Sequence, residues 1–339
     1  MTNSRILECV PNISEGRDIS KIFQITAEIE KVEGVKLLHI DQGYDANRTV
    51  ITFAGNPEAV VEAAFQSVKK ASEIIDMRLH KGVHPRFGAI DVLPFIPISG
   101  ISMEETITQA HKLGQRIGEE LGIHIYFYEY AAMSTNRRNL ANCRAGEYEG
   151  LSEKINQPEW KPDYGPVIFN AQSGAIALSA RNFLLAYNVN LNTNDVQIAK
   201  AIAGQLRESG TTSKKIENGK EIIKHVPGKM KDVKAIGWYI PEIGRAQVST
   251  NIINIHTAPL HIVFETVKII AQQYNIEVTG SELIGLIPMK VLLAAGEYYS
   301  PNHANTTKQK MEQAVKRLGL NDISIFEINK RVLEYCSIK

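Results

Sequence analysis

Cysteine is scarce in this chain: Cys9, Cys143 and Cys336 are the only three in 339 residues. They are far apart, odd in number and form no CxxC pair. That excludes a disulfide framework and a thiolate zinc site, and it fits a reducing cytoplasm. Excess charge is missing too, since 38 Lys and Arg against 37 Asp and Glu leave a net +1, so the basic footprint of a nucleic-acid binder is absent. No apolar run is long enough to span a bilayer, and Met1–Arg5 does not open a signal peptide. Neither GxGxxG nor GxxxxGK occurs, which removes the glycine-rich phosphate loops. What is present is the 44% hydrophobic and 22% charged profile of an ordinary globular protein, with length enough for two domains.

Hydrophobic period and turn residues give the same series in each half. Ile6–Val10 reads as a strand, and Asp18 or Ser20 caps a helix running to about Val32. Val35–Ile40 and Thr49–Phe53 read as strands around a polar loop, Asp41–Asn47, and Asn56-Pro57 opens a helix to about Ile75. Ala89–Ile96 is the next strand. In the second half the strands are Asn182–Leu191, Lys234–Tyr239, Gln247–Asn254 and Glu277–Ile287. The helices there are a stretch capped by Thr193 or Asn194 and running to Arg207, and Pro259–Tyr274. Both halves are β-α-β-β-α-β, the order of a ferredoxin-like unit.

The expected fold is therefore α+β: two ferredoxin-like βαββαβ subdomains, residues 1–180 and 181–339, packed sheet to sheet as α/β/β/α layers with a tunnel between them. Between them come a helix (Glu104–Leu121), a strand (His124–Tyr128) and an irregular segment, Arg137–Gly174, too long to be a mere connection and too aromatic for disorder. The lysine-dense stretch Ser213–Lys234 reads as a mobile loop, and the chain after Ala294 as peripheral helices, Thr306–Leu318 being the clearest.

The densest chemistry lies in His80-Lys-Gly82-Val-His84-Pro85-Arg86, just before the Ala89 strand. Gly82 and Pro85 bar a helix, so His84 sits in a stiff turn at a sheet edge, where a group that titrates near neutrality suits proton transfer. The alternative is a histidine satisfied by a backbone carbonyl. A carboxylate able to orient the ring is offered by Asp41, which the topology brings to the same sheet end. His80 and His84 have a metal-like spacing, but without a helix or a third ligand no metal is expected. Arg48 presents a fork suited to a substrate carboxylate, and Arg86 is a second candidate; Asp and Asn in the Asp41–Gly55 stretch read equally as turn formers. In Gly165-Pro166-Val167-Ile168-Phe169-Asn170-Ala171-Gln172-Ser173-Gly174, the amides can read a heterocycle's edge and Phe169 can offer a face; the segment reads equally as an interdomain linker. The lysines between 214 and 234 read as solvated or as contacts for an anionic ligand tail.

With these segments in view, the chain resembles the formiminotransferase family, the glutamate formimidoyltransferases of histidine degradation. The blocks that carry the resemblance are Glu8-Cys-Val-Pro-Asn-Ile-Ser-Glu-Gly16, Asn47-Arg48-Thr-Val, Gly82-Val-His84-Pro85-Arg86-Phe-Gly88-Ala-Ile-Asp91-Val, Arg144-Ala-Gly-Glu-Tyr-Glu, Arg181 through Leu191, Ile236-Gly-Trp-Tyr, Ala246-Gln-Val-Ser-Thr-Asn251 and Gly280-Ser-Glu-Leu-Ile-Gly-Leu-Ile-Pro288. The resemblance implies transfer of the formimino group of N-formimino-L-glutamate to N5 of tetrahydrofolate, the folate being a co-substrate. It also implies a homodimer, His84 as catalytic histidine paired with Asp41, and Gly165–Gly174 as the folate-binding segment. It further implies that ammonia leaves the product on a separate cyclodeaminase, since the chain is expected to lack that domain. The rival readings are formyl transfer from N-formylglutamate or 5-formyltetrahydrofolate, a non-catalytic folate-binding protein, and a metal-dependent hydrolase.

Overall fold

The computed structural model describes residues 5–217, 220–301 and 306–336, with side chains outside 213–223. The chain divides after Asn182 into two compact units. No helix among the described residues is long and apolar enough to cross a membrane.

The first unit contains β1 (Ile6–Cys9), β2 (Asn12–Ile13), α1 (Ile19–Glu30), β3 (Val35–Gly43), β4 (Arg48–Gly55), α2 (Pro57–Ile74), β5 (Ile90–Ser99), α3 (Met103–Leu121), β6 (His124–Glu129), α4 (Leu140–Arg144), α5 (Leu151–Lys154) and β7 (Ala175–Ala180). Local chemistry sets the helix starts. Asp18 accepts from the amides of Ser20 and Lys21, Asn56 precedes a proline at the first helical position, and Ser102 with Glu105 forms a capping box. In the sheet, β1 and β2 pair antiparallel with both β4 and β5, and β3 borders β4. Beyond β5, β7 and then β6 run parallel to it.

Side chains alternate between the two faces of a sheet. Leu7, Cys9, Ile51, Phe53, Leu93, Phe95, Ile125, Phe127 and Leu178 form one buried cluster with the apolar stripes of α1, α2 and α3. The opposite face carries polar groups: Glu8, Asn12 and Arg48 stand on it with Val92 and Tyr128. Part of this face is covered by Phe87, Cys143 and Leu151.

Two departures from ideal pairing act on that polar face. Ile13 lies opposite Ile90 and Asn12 opposite Val92, so Asp91 is an extra residue in β5. Likewise Leu37 lies opposite Phe53 and His39 opposite Thr52, leaving Leu38 extra in β3. Each is a β-bulge, which reverses the facing of the residues beyond it.

The second unit contains β8 (Leu185–Leu191), α6 (Val196–Leu206), β9 (Thr211–Glu217), β10 (Lys220–Val226), β11 (Val233–Ile240), β12 (Arg245–Ile252), α7 (Leu260–Gln272), β13 (Val278–Ile284), α8 (Met289–Tyr299) and α9 (Thr307–Leu318). Its main sheet is antiparallel in the order β11-β12-β8-β13, over a core shared with α6, α7, α8 and α9.

Three local expectations change. The residues read as a mobile lysine loop form the antiparallel hairpin β9–β10, in which Lys224 lies opposite Ser213. Asn218 and Gly219, and the side chains of Lys214, Lys215 and Lys220, lie outside the described residues; Lys229, Lys231 and Lys234 are exposed. The cap of α6 is Asp195 rather than Thr193 or Asn194, with Thr193 Oγ1 accepting from the Asp195 amide instead. Strand β7 was not expected. Its residues, Ala-Ile-Ala-Leu-Ser-Ala, are buried on both faces between two parallel neighbours, so they lack the alternation that marks a half-exposed strand.

Candidate active site

The turn between β3 and β4 is built around Asn47, whose φ of 46° is left-handed, a conformation asparagine tolerates. Its Oδ1 accepts from the Gly16 amide at 2.9 Å and its Nδ2 donates to the Lys81 carbonyl at 3.0 Å. Its own carbonyl lies 2.8 Å from His80 Nε2. Arg86 Nε donates to His80 Nδ1 at 3.3 Å, so Nδ1 is the acceptor and Nε2 carries the hydrogen given to Asn47. Both nitrogens of His80 are thereby engaged, and burial pushes its pKa down. Gly82 closes the clamp: a Cβ there would stand 2.2 Å from the Ala46 carbonyl oxygen, so no larger residue fits. The segment carrying His84 is thus fastened to the turn carrying Arg48.

Asp91, aimed by its bulge, is fully buried and binds two guanidinium groups through one oxygen. Arg48 Nη1 and Arg144 Nη2 both donate to Oδ2, the latter at 2.7 Å, and Arg48 Nε donates to Asn12 Oδ1 at 3.1 Å. Burial alone would raise the Asp91 carboxyl, but Arg144 and Arg48 outweigh it and hold it below the ordinary carboxylate range. Arg144 is the last residue of α4. The carbonyls around it, of Asn142, Cys143 and Ala145, all accept from the buried Lys154 ammonium at 2.7–3.0 Å. One lysine therefore satisfies the end of the helix and fixes the arginine's root.

His84 lies in the field of this cluster. Its Nδ1 stands 2.6 Å from the Pro85 carbonyl oxygen, which can only accept, so Nδ1 bears the hydrogen and Nε2 the lone pair. Burial, then Arg48 and Arg144, push the ring's pKa down to about 3, against the opposing pull of Asp91. At physiological pH the ring is neutral with a basic nitrogen. Arg48, Arg144, Asp91 and the uncharged ring together carry +1: two guanidiniums against one carboxylate.

The other expected residues are placed as follows. Asp41 stands opposite Val50 in the β3–β4 ladder, on the sheet face that carries Arg48, with its carboxylate 3.6 Å from His39 Nε2. Arg86 pairs with Glu147 at 3.2 Å and binds both oxygens of Glu149. The segment Gly165–Gly174 is tied to the first unit throughout. His124 lies within 3.1 Å of the Gly174 and Ile168 carbonyls, and Tyr148 donates to the Ala171 carbonyl. The amides read as reporters of a heterocycle are engaged with backbone: Asn170 Oδ1 accepts from the Ser173 amide and Gln172 Nε2 donates to the Ser72 carbonyl. The segment's exposed residues are Pro166, Val167, Ile168 and Gln172. Among the described residues no three His, Cys, Asp or Glu side chains gather as a metal site.

Three residues of this polar face escaped the reading of the sequence as site members: Asp91 as an arginine anchor, Arg144 and Glu8. A charged residue inside the apolar run Ala89–Pro97 was the available signal for Asp91. Arg144 opens a block of family resemblance, but nothing in that block marked it as a partner of Asp91, 53 residues away. Glu8 is buried with Oε2 unpartnered, and burial pushes its pKa up to about 7 against the pull of Arg181.

Comparison with known proteins identifies the chain's family. A family model described as "Formiminotransferase domain, N-terminal subdomain" matches residues 6–181, and one described as "Formiminotransferase domain" matches residues 186–338. A protein named glutamate formimidoyltransferase from Thermoplasma acidophilum is 38% identical, covering 91% of this chain and 98% of its own. One of the same name from Streptococcus pyogenes is 41% identical over 87% of this chain and 93% of its own. The formimidoyltransferase-cyclodeaminase of Gallus gallus is 44% identical over 98% of this chain, which spans only 60% of that longer protein. By both family models and by these relatives, the chain belongs to the formiminotransferase family.

Proposed function

We propose that this chain transfers the formimino group from N-formimino-L-glutamate to N5 of tetrahydrofolate, giving 5-formiminotetrahydrofolate and L-glutamate. The observation that carries the reading is a half-buried, neutral His84 whose lone-pair nitrogen sits in the field of Arg48, Arg144 and Asp91. Relatives of this name that match this chain over nearly their whole length support it.

The formimino carbon is an amidine carbon. As N5 attacks it, the N5–H becomes acidic and is taken by His84 Nε2. The C–N bond to the glutamate nitrogen then breaks, and the same proton passes to that nitrogen as it leaves. One imidazole thus serves as base and then acid, as the histidine of a serine hydrolase does. Asp41, on the face of Arg48, is proposed to pair with His84, taking the Nδ1–H in place of the Pro85 carbonyl, and to favour a cationic amidinium. Gly165–Gly174 is proposed as the folate-binding segment, contacting the co-substrate through Val167, Ile168 and Phe169. Arg48 is proposed for a glutamate carboxylate; Arg86 would have to release Glu147 or Glu149 to do the same. Fixing both substrates in near-attack geometry supplies several kcal/mol. The ferredoxin-like, sheet-to-sheet layering with a tunnel, the homodimer, the cytoplasmic setting and a separate cyclodeaminase belong to the same proposal.

The test is a tetrahydrofolate-dependent assay with formiminoglutamate, run beside a formyl donor and followed by product absorbance. Wild-type protein should turn over the formimino donor, and His84→Ala should lose about 10²–10⁴-fold in rate while its circular dichroism is unchanged. Near-normal turnover by folded His84→Ala, or no folate-dependent consumption of the formimino donor by wild type, overturns the reading.

A further inference from the structure

We propose that Arg48 and Arg144, joined through Asp91, form the receptor for a carboxylate of the glutamate donor, and that this carboxylate turns His84 into a competent base. The inference rests on the function proposed above and gives a role to two residues, Arg144 and Asp91, that lie in the blocks of family resemblance but were assigned none there.

Three observations converge. First, the cluster is incomplete as it stands. Two half-buried guanidiniums share a single oxygen of a fully buried carboxylate, leaving this triad with a net charge of +1 where charges are ordinarily paired. Second, a donor is left over: Arg144 Nε has no hydrogen-bond partner among the described residues. A planar guanidinium with an unused donor edge is suited to the two-point grip that carboxylates accept. Third, Arg86, two residues from His84, already holds two carboxylates of its own chain. A substrate carboxylate therefore gains most at Arg48 and Arg144.

The consequence for catalysis follows from which charges act on the ring. They are Arg48 from β4, Arg144 from α4 and Asp91 from β5, together with the Pro85 carbonyl. The two guanidiniums oppose protonation of His84. An arriving carboxylate offsets that positive charge, so the imidazole becomes willing to accept the N5 proton only when the donor is bound. Asp91 does not touch substrate in this scheme. It is a positioning residue that keeps two like charges side by side until the anion comes.

Glutarate is the probe, a dicarboxylate with no amine and no formimino group, so the result does not depend on turnover. Full-length protein labelled with ¹⁵N-histidine is titrated from pH 4 to 7, the His84 signals being assigned by their absence from His84→Asn. Without glutarate no inflection of His84 should appear in this range; saturating glutarate should raise its midpoint by about 1–3 pH units and bring the inflection into view. Arg144→Gln should remove that response and raise the Michaelis constant for formiminoglutamate more than tenfold, leaving that for tetrahydrofolate within twofold. Arg144→Lys should retain part of both. If saturating glutarate leaves His84 without an inflection, or if folded Arg144→Gln binds glutarate as wild type does, the inference fails. Should Arg144→Gln not fold, the wild-type titration decides alone. A protein that binds glutarate with the expected rise but transfers no formimino group would refute the proposed function and leave the receptor standing.

Discussion

Asp91→Asn is the substitution whose cost can be worked most directly from the coordinates. The change keeps the side chain's size and removes only its charge, at a fully buried position where Arg48 and Arg144 both depend on it. Each charge-assisted bond is worth about 1.5–3 kcal/mol, and removing one partner of a buried ion pair costs about 3–5 kcal/mol because the other charge is left uncompensated. An asparagine oxygen can still accept from one guanidinium, which places the expected loss near the lower end, about 3 kcal/mol. Urea unfolding at pH 7 measures it. Because the damage comes from two arginines left facing each other, adding Arg144→Gln to Asp91→Asn should restore part of the loss. The double variant should then be less destabilised than the sum of the singles by about 1–3 kcal/mol. A loss for Asp91→Asn below 1 kcal/mol, or strict additivity in the double variant, would refute the argument that a charge triad holds this face together.

Three further outcomes are expected. The pKa of His84 is about 3 in the folded chain against an ordinary 6.5, so between these values the unfolded chain binds a proton that the folded chain does not. Stability should therefore fall as pH drops from 6.5 towards 3, by up to about 1.4 kcal/mol per unit from this site, and His84→Asn should flatten that slope in urea titrations. Glu8 has the opposite sign: raised from 4.5 to about 7, its contribution is complete below 4.5 and lost as pH rises through 7. Glu8→Gln should cancel a pH-dependent loss of about 3 kcal/mol between pH 4.5 and 8, and parallel curves for the two proteins would contradict this. Gly82→Ala drives a methyl into the Ala46 carbonyl and should cost about 1–3 kcal/mol, with a fall in turnover as the His84 segment shifts; an unchanged melting temperature would show that the clamp has slack.

The sequence disclosed elements that announce themselves locally. Asp18 and Asn56-Pro57 start helices where their chemistry demands, and the apolar stripes of α1 and α2 face the sheet as their spacing requires. It was silent where structure is decided by distant partners. Strand β7 shows no alternation because both its faces are covered, and β9 pairs with β10 although neither carries a strong apolar pattern. The site divides the same way. His84, Arg48 and Asp41 stood out as chemistry-bearing residues at a sheet edge. Arg144 depends on a contact with β5 that no spacing encodes. Conversely, the amides of Asn170 and Gln172 looked available in sequence and are bound to backbone in the fold.

How two aspartates reach one face of a sheet is explained by the bulges. In an unbroken β3, residues 37, 39 and 41 would point the same way, and Leu37 points into the apolar layer beneath α1 and α2. The extra residue at Leu38 reverses the strand, so that Ile40 joins the apolar layer while His39 and Asp41 line up with Thr52 and Val50 on the side of Arg48. In β5, Ile90 and Leu93 both belong to the helix-covered cluster, which strict alternation forbids; the residue inserted between them is Asp91. A slip of one residue moves a side chain from one face to the other, so without these two irregularities the ladder would bury both carboxylates against hydrocarbon at a cost of several kcal/mol each. The bulges are thus what allows one sheet to carry a continuous apolar core on one side and a charged face on the other: Asp91 sits where regular pairing fails, and Asp41 reaches that face because pairing fails three residues before it.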